Sequence, residues 1–565
     1  MTPKRETNVR TILVLSALVT ALPAAAAAPA EPSRMDRVLD AAIAAERDLA
    51  GKLESYRPLV ETYIQTVKPD PALGTVPVKD NYFIARLELD APPAPKQAKK
   101  QPKKALSLLE DFHSAVFKPE DFARMLILDR GAFGRDVYDF DFLRAEFLGD
   151  VRTYVFDVTP KTSKPINTYR PGRFTGRIWI EDQGNRIVRY NGIYASELAA
   201  NFHFDSWRMN LAEGLWLPAY VYTEEADKAS KQLNLVHKGQ IRVWGYRLPG
   251  RETEDEFTKV VVETADTKDR SEASGHVSPV ESARAWEAEA EDNVIRRLER
   301  SGLLAPDGKL DDVLETVVTN LEITSELDIQ PPVKCRVLLT TPLESFTVGH
   351  TIVLSRGLID VLPDEASLAM VLAHELGHVI SGHDLDTRFA FTDRVLVGDR
   401  DALQQFDFQR DPTEEAQADA KAVELLAKSP YKDKLASAGL FLKALDARSI
   451  ALRALIRPHF GNQLYKMAPI VQKAPALDLT SVQQTSALPL GGRVKVDPWT
   501  AHVELMPSAR VTLLSAREKM PFQVTPLMPY LSRLDASGEP VKAKATATGR
   551  VTLSAQAPQG DHEVK

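Results

Sequence analysis

The stretch Pro363-Asp364-Glu365-Ala366-Ser367-Leu368-Ala369-Met370-Val371-Leu372-Ala373-His374-Glu375-Leu376-Gly377-His378 decides the reading of this chain. Pro363 and the acids Asp364 and Glu365 suit the first turn of a helix, and Leu368, Val371, Leu372 and Val379 form an apolar stripe at helical spacing. His374 and His378 then stand one turn apart on another face, in the i,i+4 relation that lets both imidazoles reach one metal ion, with the carboxylate of Glu375 beside them. This is the HExxH arrangement of a zinc hydrolase, and it needs a third ligand.

The candidate third ligand lies in Asp411-Pro412-Thr413-Glu414-Glu415-Ala416-Gln417-Ala418-Asp419-Ala420. Asp411 reads as an N-cap, Pro412 as the first turn, and Glu414 closes a pattern like a capping box. Glu415 and Asp419 share a face of the predicted helix. The first is placed to bind a metal, and the second to accept a hydrogen bond from a ligand imidazole and fix its tautomer. Alanines at 416, 418, 420 and 422 leave room for a close helix pair. An amphipathic helix with exposed acids is the alternative.

These segments resemble the zinc metallopeptidase family of HtpX, BepA and the CAAX prenyl endopeptidases, marked by HExxH followed by ExxAD. The matching text is Thr351-Ile352-Val353-Leu354-Ser355-Arg356-Gly357-Leu358, then Leu372 to His378 with a further His383, then Glu415 to Ala420, within roughly residues 280–525. The resemblance implies His374, His378 and Glu415 as ligands of one zinc ion per chain, and Glu375 as the general base that activates water. The family's third segment, a His-Pro followed by Arg, has its nearest counterpart in His502-Val503 with Pro507 and Arg510; the gap is longer and no Pro follows the His. His502 and Arg510 are thereby candidates for contacts to the transition state.

Spacing excludes a metzincin, because Gly382 and His383 each fall one position out of phase. His383 reads as a helix-end cap or packing residue pointing away from the metal face. Three protein ligands leave a position for water, whose proton Glu375 takes and returns to the leaving amine of a cleaved peptide. An extended peptide substrate is expected to pair with the edge of the strand near Phe346–Leu354.

The chain has 565 residues, 44% apolar and 26% charged, enough for two or three domains. A net charge of −7 argues against nucleic acid as a partner, although residues 91–105 form a basic Pro/Lys loop. Residues 1–30 read as an export signal: Lys4, Arg5 and Arg10, the apolar run Ile12–Leu22, then Ala-x-Ala sites. No later run is long enough to span a bilayer, so the expectation is an exported protein, periplasmic or secreted in a bacterium, with membrane association an open alternative. Cys335 is the only cysteine, so no internal disulfide can form.

Residues 31–263 read as a β-rich domain with a helix from Met35 to about Thr66, followed by strands such as Phe83–Leu89, Tyr154–Val158 and Val260–Val262, and a hairpin turning at Glu181–Asn185. A helix followed by a curved antiparallel sheet resembles the LolA and RseB half-barrels, which implies a lipid or lipoprotein partner; a plain sheet that positions the peptidase is the alternative. Residues 264–285 read as a linker, 286–526 as the metallopeptidase domain with helices at 281–301, 310–327 and 435–455, and 527–565 as a flexible tail. The fold class expected is α+β and multidomain, with an antiparallel, half-barrel-like N-terminal domain and a mainly helical zincin-type domain. The leading function is endopeptidase action on envelope or periplasmic proteins; lipid carriage, or chaperone-like quality control with a structural zinc, are the others.

Overall fold

The computed structural model describes residues 33–70, 74–87, 125–128, 132–161, 173–194, 201–226, 235–248, 279–383, 407–457, 460–462, 464, 468–476, 494–496, 503–505, 524 and 529–541. The export signal, the basic loop at 91–105, the strand expected at Val260–Val262, and His502 and Arg510 lie outside the described residues.

Helix α1 (Arg34–Lys52) opens with Ser33, whose hydroxyl accepts from the Asp36 amide while Asp36 bonds back to the Ser33 amide. It stops at Lys52, well short of the sequence expectation of Thr66. From Leu59 the text changes to alternating β-branched and aromatic residues, which suit a pleated, half-buried surface better than a helix, and strand β1 (Leu59–Asp70) begins. Strands β2 (Gly74–Arg86), β3 (Tyr138–Leu148), β4 (Val151–Pro160), β5 (Phe174–Glu181), β6 (Ile187–Tyr194), β7 (Asn201–Ala212), β8 (Leu215–Ala226) and β9 (Leu235–Trp244) follow. They form one open, antiparallel nine-stranded sheet in the order β2-β1-β9-β8-β7-β6-β5-β4-β3. The expected hairpin is there: β5 and β6 pair around the connection at 182–186, where the amides of Gln183, Gly184 and Arg186 donate to the buried Glu181 carboxylate.

The period-two alternation gives the sheet two apolar faces. One carries Val60, Ile64, Phe156, Ile178, Tyr190, Phe204 and Val243, packed under α1 and Met125–Leu128. Within it Arg208 makes two hydrogen bonds to Glu46 of α1, at 2.6 and 2.7 Å, with both side chains almost fully buried. A cavity of about 70 Å³ lies beneath α1, lined by Glu46, Leu49, Ile187 and Arg208. That is far below the roughly 300 Å³ at which ligand pockets begin. The other face carries Leu59, Tyr63, Trp179, Trp207, Trp216 and Trp244 and belongs to the same buried cluster as the helical half of the chain.

That half begins with α2 (Pro279–Arg300), which starts inside the segment expected as linker, and α3 (Lys309–Thr324). A small sheet follows: β10 (Lys334–Leu338) pairs in parallel with β12 (Thr351–Ser355), and β11 (Ser345–Val348) pairs antiparallel on its other side. Phe346–Leu354 is therefore a hairpin and not one strand; Gly349 at its turn has φ +55°, the left-handed conformation that glycine adopts at least cost. The strand-like text through Leu358 also ends early. Ser355 caps a short helix α4 (Arg356–Val361) by accepting from the Leu358 amide. Helix α5 (Glu365–Ser381) is capped by Asp364 accepting from Ser367, and α6 (Pro412–Lys428) by Asp411 accepting from Thr413 and Glu414. The helix expected over 435–455 is two: α7 (Leu435–Arg448) and α8 (Arg453–Ile456), followed by α9 (Ala468–Lys473) and the hairpin β13 (Val494–Val496) with β14 (Val503–Leu505).

Carboxylates of the large sheet grip the loops of the helical half. Glu61 of β1, almost fully buried, accepts from the amide and hydroxyl of Thr341 at 2.6 and 2.8 Å and pairs with Arg242. Asp80 of β2 accepts the amides of Ala454 and Leu455 at the start of α8, both at 2.8 Å. Leu455 in turn accepts from the Leu343 amide, two residues before β11. Part of the expected tail is also anchored. Leu531 is fully buried, Arg533 pairs with Glu181 and Asp182, and the Leu534 amide donates to Asn210, because apolar and charged side chains at 531–534 find partners on the sheet. No helix among the described residues is long and apolar enough to cross a membrane.

Candidate metal centre

Helices α5 and α6 cross closely because each offers small residues at the contact. Gly377 lies so near Ala418 that a β-carbon there would stand 2.7 Å from the Ala418 carbonyl oxygen. Of the alanines at 416, 418, 420 and 422, Ala418 and Ala422 are fully buried, while Ala416 and Ala420 are exposed. This crossing brings His374, His378 and Glu415 together. One ligand atom from each lies within 4.8 Å of the others, and they are the group of this kind found among the described residues. His378 Nε2 lies 3.3 Å from His374 Nε2 and 3.1 Å from Glu415 Oε1, and His374 Nε2 lies 3.5 Å from Glu415 Oε2.

The opposite edge of each ring is held. His374 Nδ1 donates to Asp419 at 2.9 Å. His378 Nδ1 is 2.7 Å from His383 Nδ1, and His383 Nε2 is 3.0 Å from the Gln417 side-chain oxygen. Since that amide oxygen can only accept, neutral His383 donates through Nε2 and accepts through Nδ1. His378 thus donates through Nδ1 and keeps the lone pair on Nε2, the tautomer a metal requires. His383 does not point away from the metal face, as its sequence position implied. Gly382, at φ +61°, turns the chain back after α5 and folds the ring under His378. A histidine directly after a helix-ending glycine was the signal available for it.

Charge follows the geometry. Burial opposes protonation of His374, but hydrogen bonds to Asp419 and Glu415 and the charge of Glu375 outweigh it and raise its pKa to about 10. Burial likewise opposes ionisation of Glu415, and the two histidines outweigh it and hold the carboxyl at about 2. A site this negative attracts a cation. The donor set of two imidazole nitrogens and a carboxylate, with each ring's Nδ1 held so that Nε2 faces the site, fits Zn²⁺.

Glu375, almost fully buried, is bonded at both oxygens: Ser345 donates to Oε1 and Thr347 to Oε2, each at 2.6 Å. The site opens on a cavity of about 340 Å³ lined by Ser345, His374, Glu375, Arg410, Glu415 and Asn462. Asn462 donates to Glu415 Oε1 at 2.7 Å and accepts from the Arg410 amide at 3.0 Å. Ser345, Thr347, Arg410 and Asn462 carry no local pattern of their own in the sequence, and only the fold brings them here.

Residues 305–397 match the model of peptidase family M48. A crystal structure of a DUF1329 family protein from Desulfovibrio piger is similar at 12% identity, over 39% of this chain and 98% of that chain, with a TM-score of 0.20. No curated protein matches the chain.

Proposed function

We propose, from the premise that residues 305–397 are a segment of peptidase family M48, a family of zinc metallopeptidases, that this chain is a zinc-dependent endopeptidase acting on envelope or periplasmic proteins. The observation that carries the reading is the convergence of His374, His378 and Glu415 beside a buried carboxylate and an open cavity. A structural zinc site is closed by its ligands, whereas a catalytic one keeps access for water and substrate; the cavity favours the second. His374, His378 and Glu415 would hold the zinc ion, with Asp419 and His383 fixing the two rings.

A zinc ion bound there supplies Lewis acidity, acidifying water and polarising the scissile carbonyl. Glu375 takes the proton of the attacking water on its carboxylate and delivers it to the departing amine. The hydroxyls of Ser345 and Thr347 hold the carboxylate while it waits. An extended peptide would lie in the cavity that β11 borders at Ser345. Roles for His502 and Arg510 stay with the family resemblance alone. Export to the periplasm rests on the sequence of residues 1–30, and the N-terminal sheet is read as a support that positions the peptidase, since described elements cover both its faces.

The test is proteolysis of casein by the purified, zinc-loaded protein and its Glu375→Gln variant. Stoichiometric zinc in both, with cleavage by the wild type alone, is the expected result. Equal cleavage by the two proteins, or a wild type that binds no zinc, overturns the assignment.

A further inference from the structure

Strand β11 faces two ways. Phe346 pairs with Val353 and Val348 with Thr351 toward the sheet, while Ser345 and Thr347 turn their carbonyls outward. The Ser345 carbonyl accepts from the Asn462 amide at 3.4 Å, and the Thr347 carbonyl accepts from an Arg410 guanidinium nitrogen at 3.3 Å. The side chains of the same two residues point toward α5 and hold both oxygens of Glu375. A buried carboxylate needs hydrogen-bond partners of some kind, but backbone amides or a single hydroxyl would meet that need. Here each oxygen has its own hydroxyl, and both hydroxyls come from the strand edge that borders the cavity.

We infer that Ser345 and Thr347 are positioning residues for the general base, fixing the orientation of the Glu375 carboxylate from the strand that borders the cavity. This rests on the peptidase reading above. Because Asn462 and Arg410 hold the outward carbonyls of residues 345 and 347, the strand is fixed at the two positions whose side chains aim the base. The hydroxyls bond none of the three metal ligands; Thr347 also donates to the Glu375 backbone carbonyl at 3.4 Å, so the clamp acts on Glu375.

The experiment uses full-length, zinc-loaded protein and a fluorogenic peptide, with the variants Ser345→Ala, Thr347→Val, the double variant and Thr347→Ser. Hydrogen bonds to an ionised group support a fall in kcat of about tenfold for each hydroxyl removed. KM is expected within about twofold of the wild type, and zinc content and melting temperature unchanged. Thr347→Ser, which keeps the hydroxyl, retains kcat near the wild-type value. The inference is overturned if the double variant turns over like the wild type, if the loss lies in KM or in zinc content, or if Thr347→Ser is as impaired as Thr347→Val. Should Thr347→Val fail to fold, the smaller change Ser345→Ala decides on the same criteria. A wild type that binds zinc and cleaves nothing overturns the peptidase reading instead, and the clamp with it.

Discussion

Replacing Gly377 with alanine tests how the metal centre is built, because it adds one methyl at the crossing of α5 and α6 and touches no ligand. The new carbon would stand 2.7 Å from the Ala418 carbonyl oxygen and 3.0 Å from its Cα, where ordinary contact is about 3.5–4.0 Å. The obstacle is backbone, which no rotamer change relieves, so α6 must retreat by about 0.5–1 Å. Glu415 sits one turn before Ala418 and moves with the helix. Metal sites hold their ligand distances to about 0.2 Å, so a shift of this size separates the carboxylate from the imidazoles. Overpacking costs about 1–3 kcal/mol, and the higher helix propensity of alanine offsets about 1 kcal/mol of it, leaving a net loss of about 0–2 kcal/mol. The expected outcome is a split: little change in the melting temperature of the metal-free protein, and zinc affinity reduced about ten- to a hundredfold. Competition against a chromophoric chelator measures the affinity. Gly51→Ala, in α1 with nothing within 4 Å of the new carbon, is the control and should gain about 1 kcal/mol with zinc affinity intact. Gly377→Ala binding zinc within twofold of the wild type would refute the reasoning.

Other consequences can be measured directly. Zinc binding at pH 8 should release about one proton: the pKa of His374 is raised to about 10 in the metal-free protein, so the ring is charged there and must become neutral to ligate. Calorimetry in buffers of different ionisation enthalpy counts that proton, and a count near zero contradicts the assignment. The same shift lies above the usual histidine value of 6.5, so its contribution to the stability of the metal-free protein is complete below about pH 6.5 and fades as pH rises through about 10. Thermal melts of metal-free protein across that window check the sign. Asp419→Ala should weaken zinc binding about ten- to a hundredfold while leaving the three ligands in place, which the same chelator competition reads. Glu61→Ala should cost about 3–5 kcal/mol, because the half-buried Arg242 and the buried amide and hydroxyl of Thr341 are left without that carboxylate; urea unfolding showing a loss under about 1 kcal/mol would contradict this.

The parts legible in the sequence are those whose determinants are local. The α5 helix announces itself through Asp364, its apolar stripe and the i,i+4 histidines, and α6 through Asp411-Pro412. The hairpin of β5 and β6 follows from alternation around a polar turn. Helix ends were less legible: α1 stops where alternation begins, and Ser355 starts a helix inside strand-like text. What escaped depends on contacts far apart in the chain. Ser345 and Thr347 look like ordinary strand residues until α5 packs behind them, and Asn462 meets Glu415 only through the fold. Leu531 and Arg533 sit in polar text that composition assigns to a tail, yet the sheet receives both.

The Trp-rich face of the large sheet has a further meaning for how the molecule must be made. Its side chains and those of α3, α5 and α7 form a single buried mass, so neither half owns the interior it relies on. Severing the polypeptide between β9 and α2 would therefore leave two pieces still clasped together, and producing either piece alone would expose tryptophans and leucines to water. Assembly of the metal centre waits on the sheet, and shuffling either half onto a foreign partner would require rebuilding their common interior.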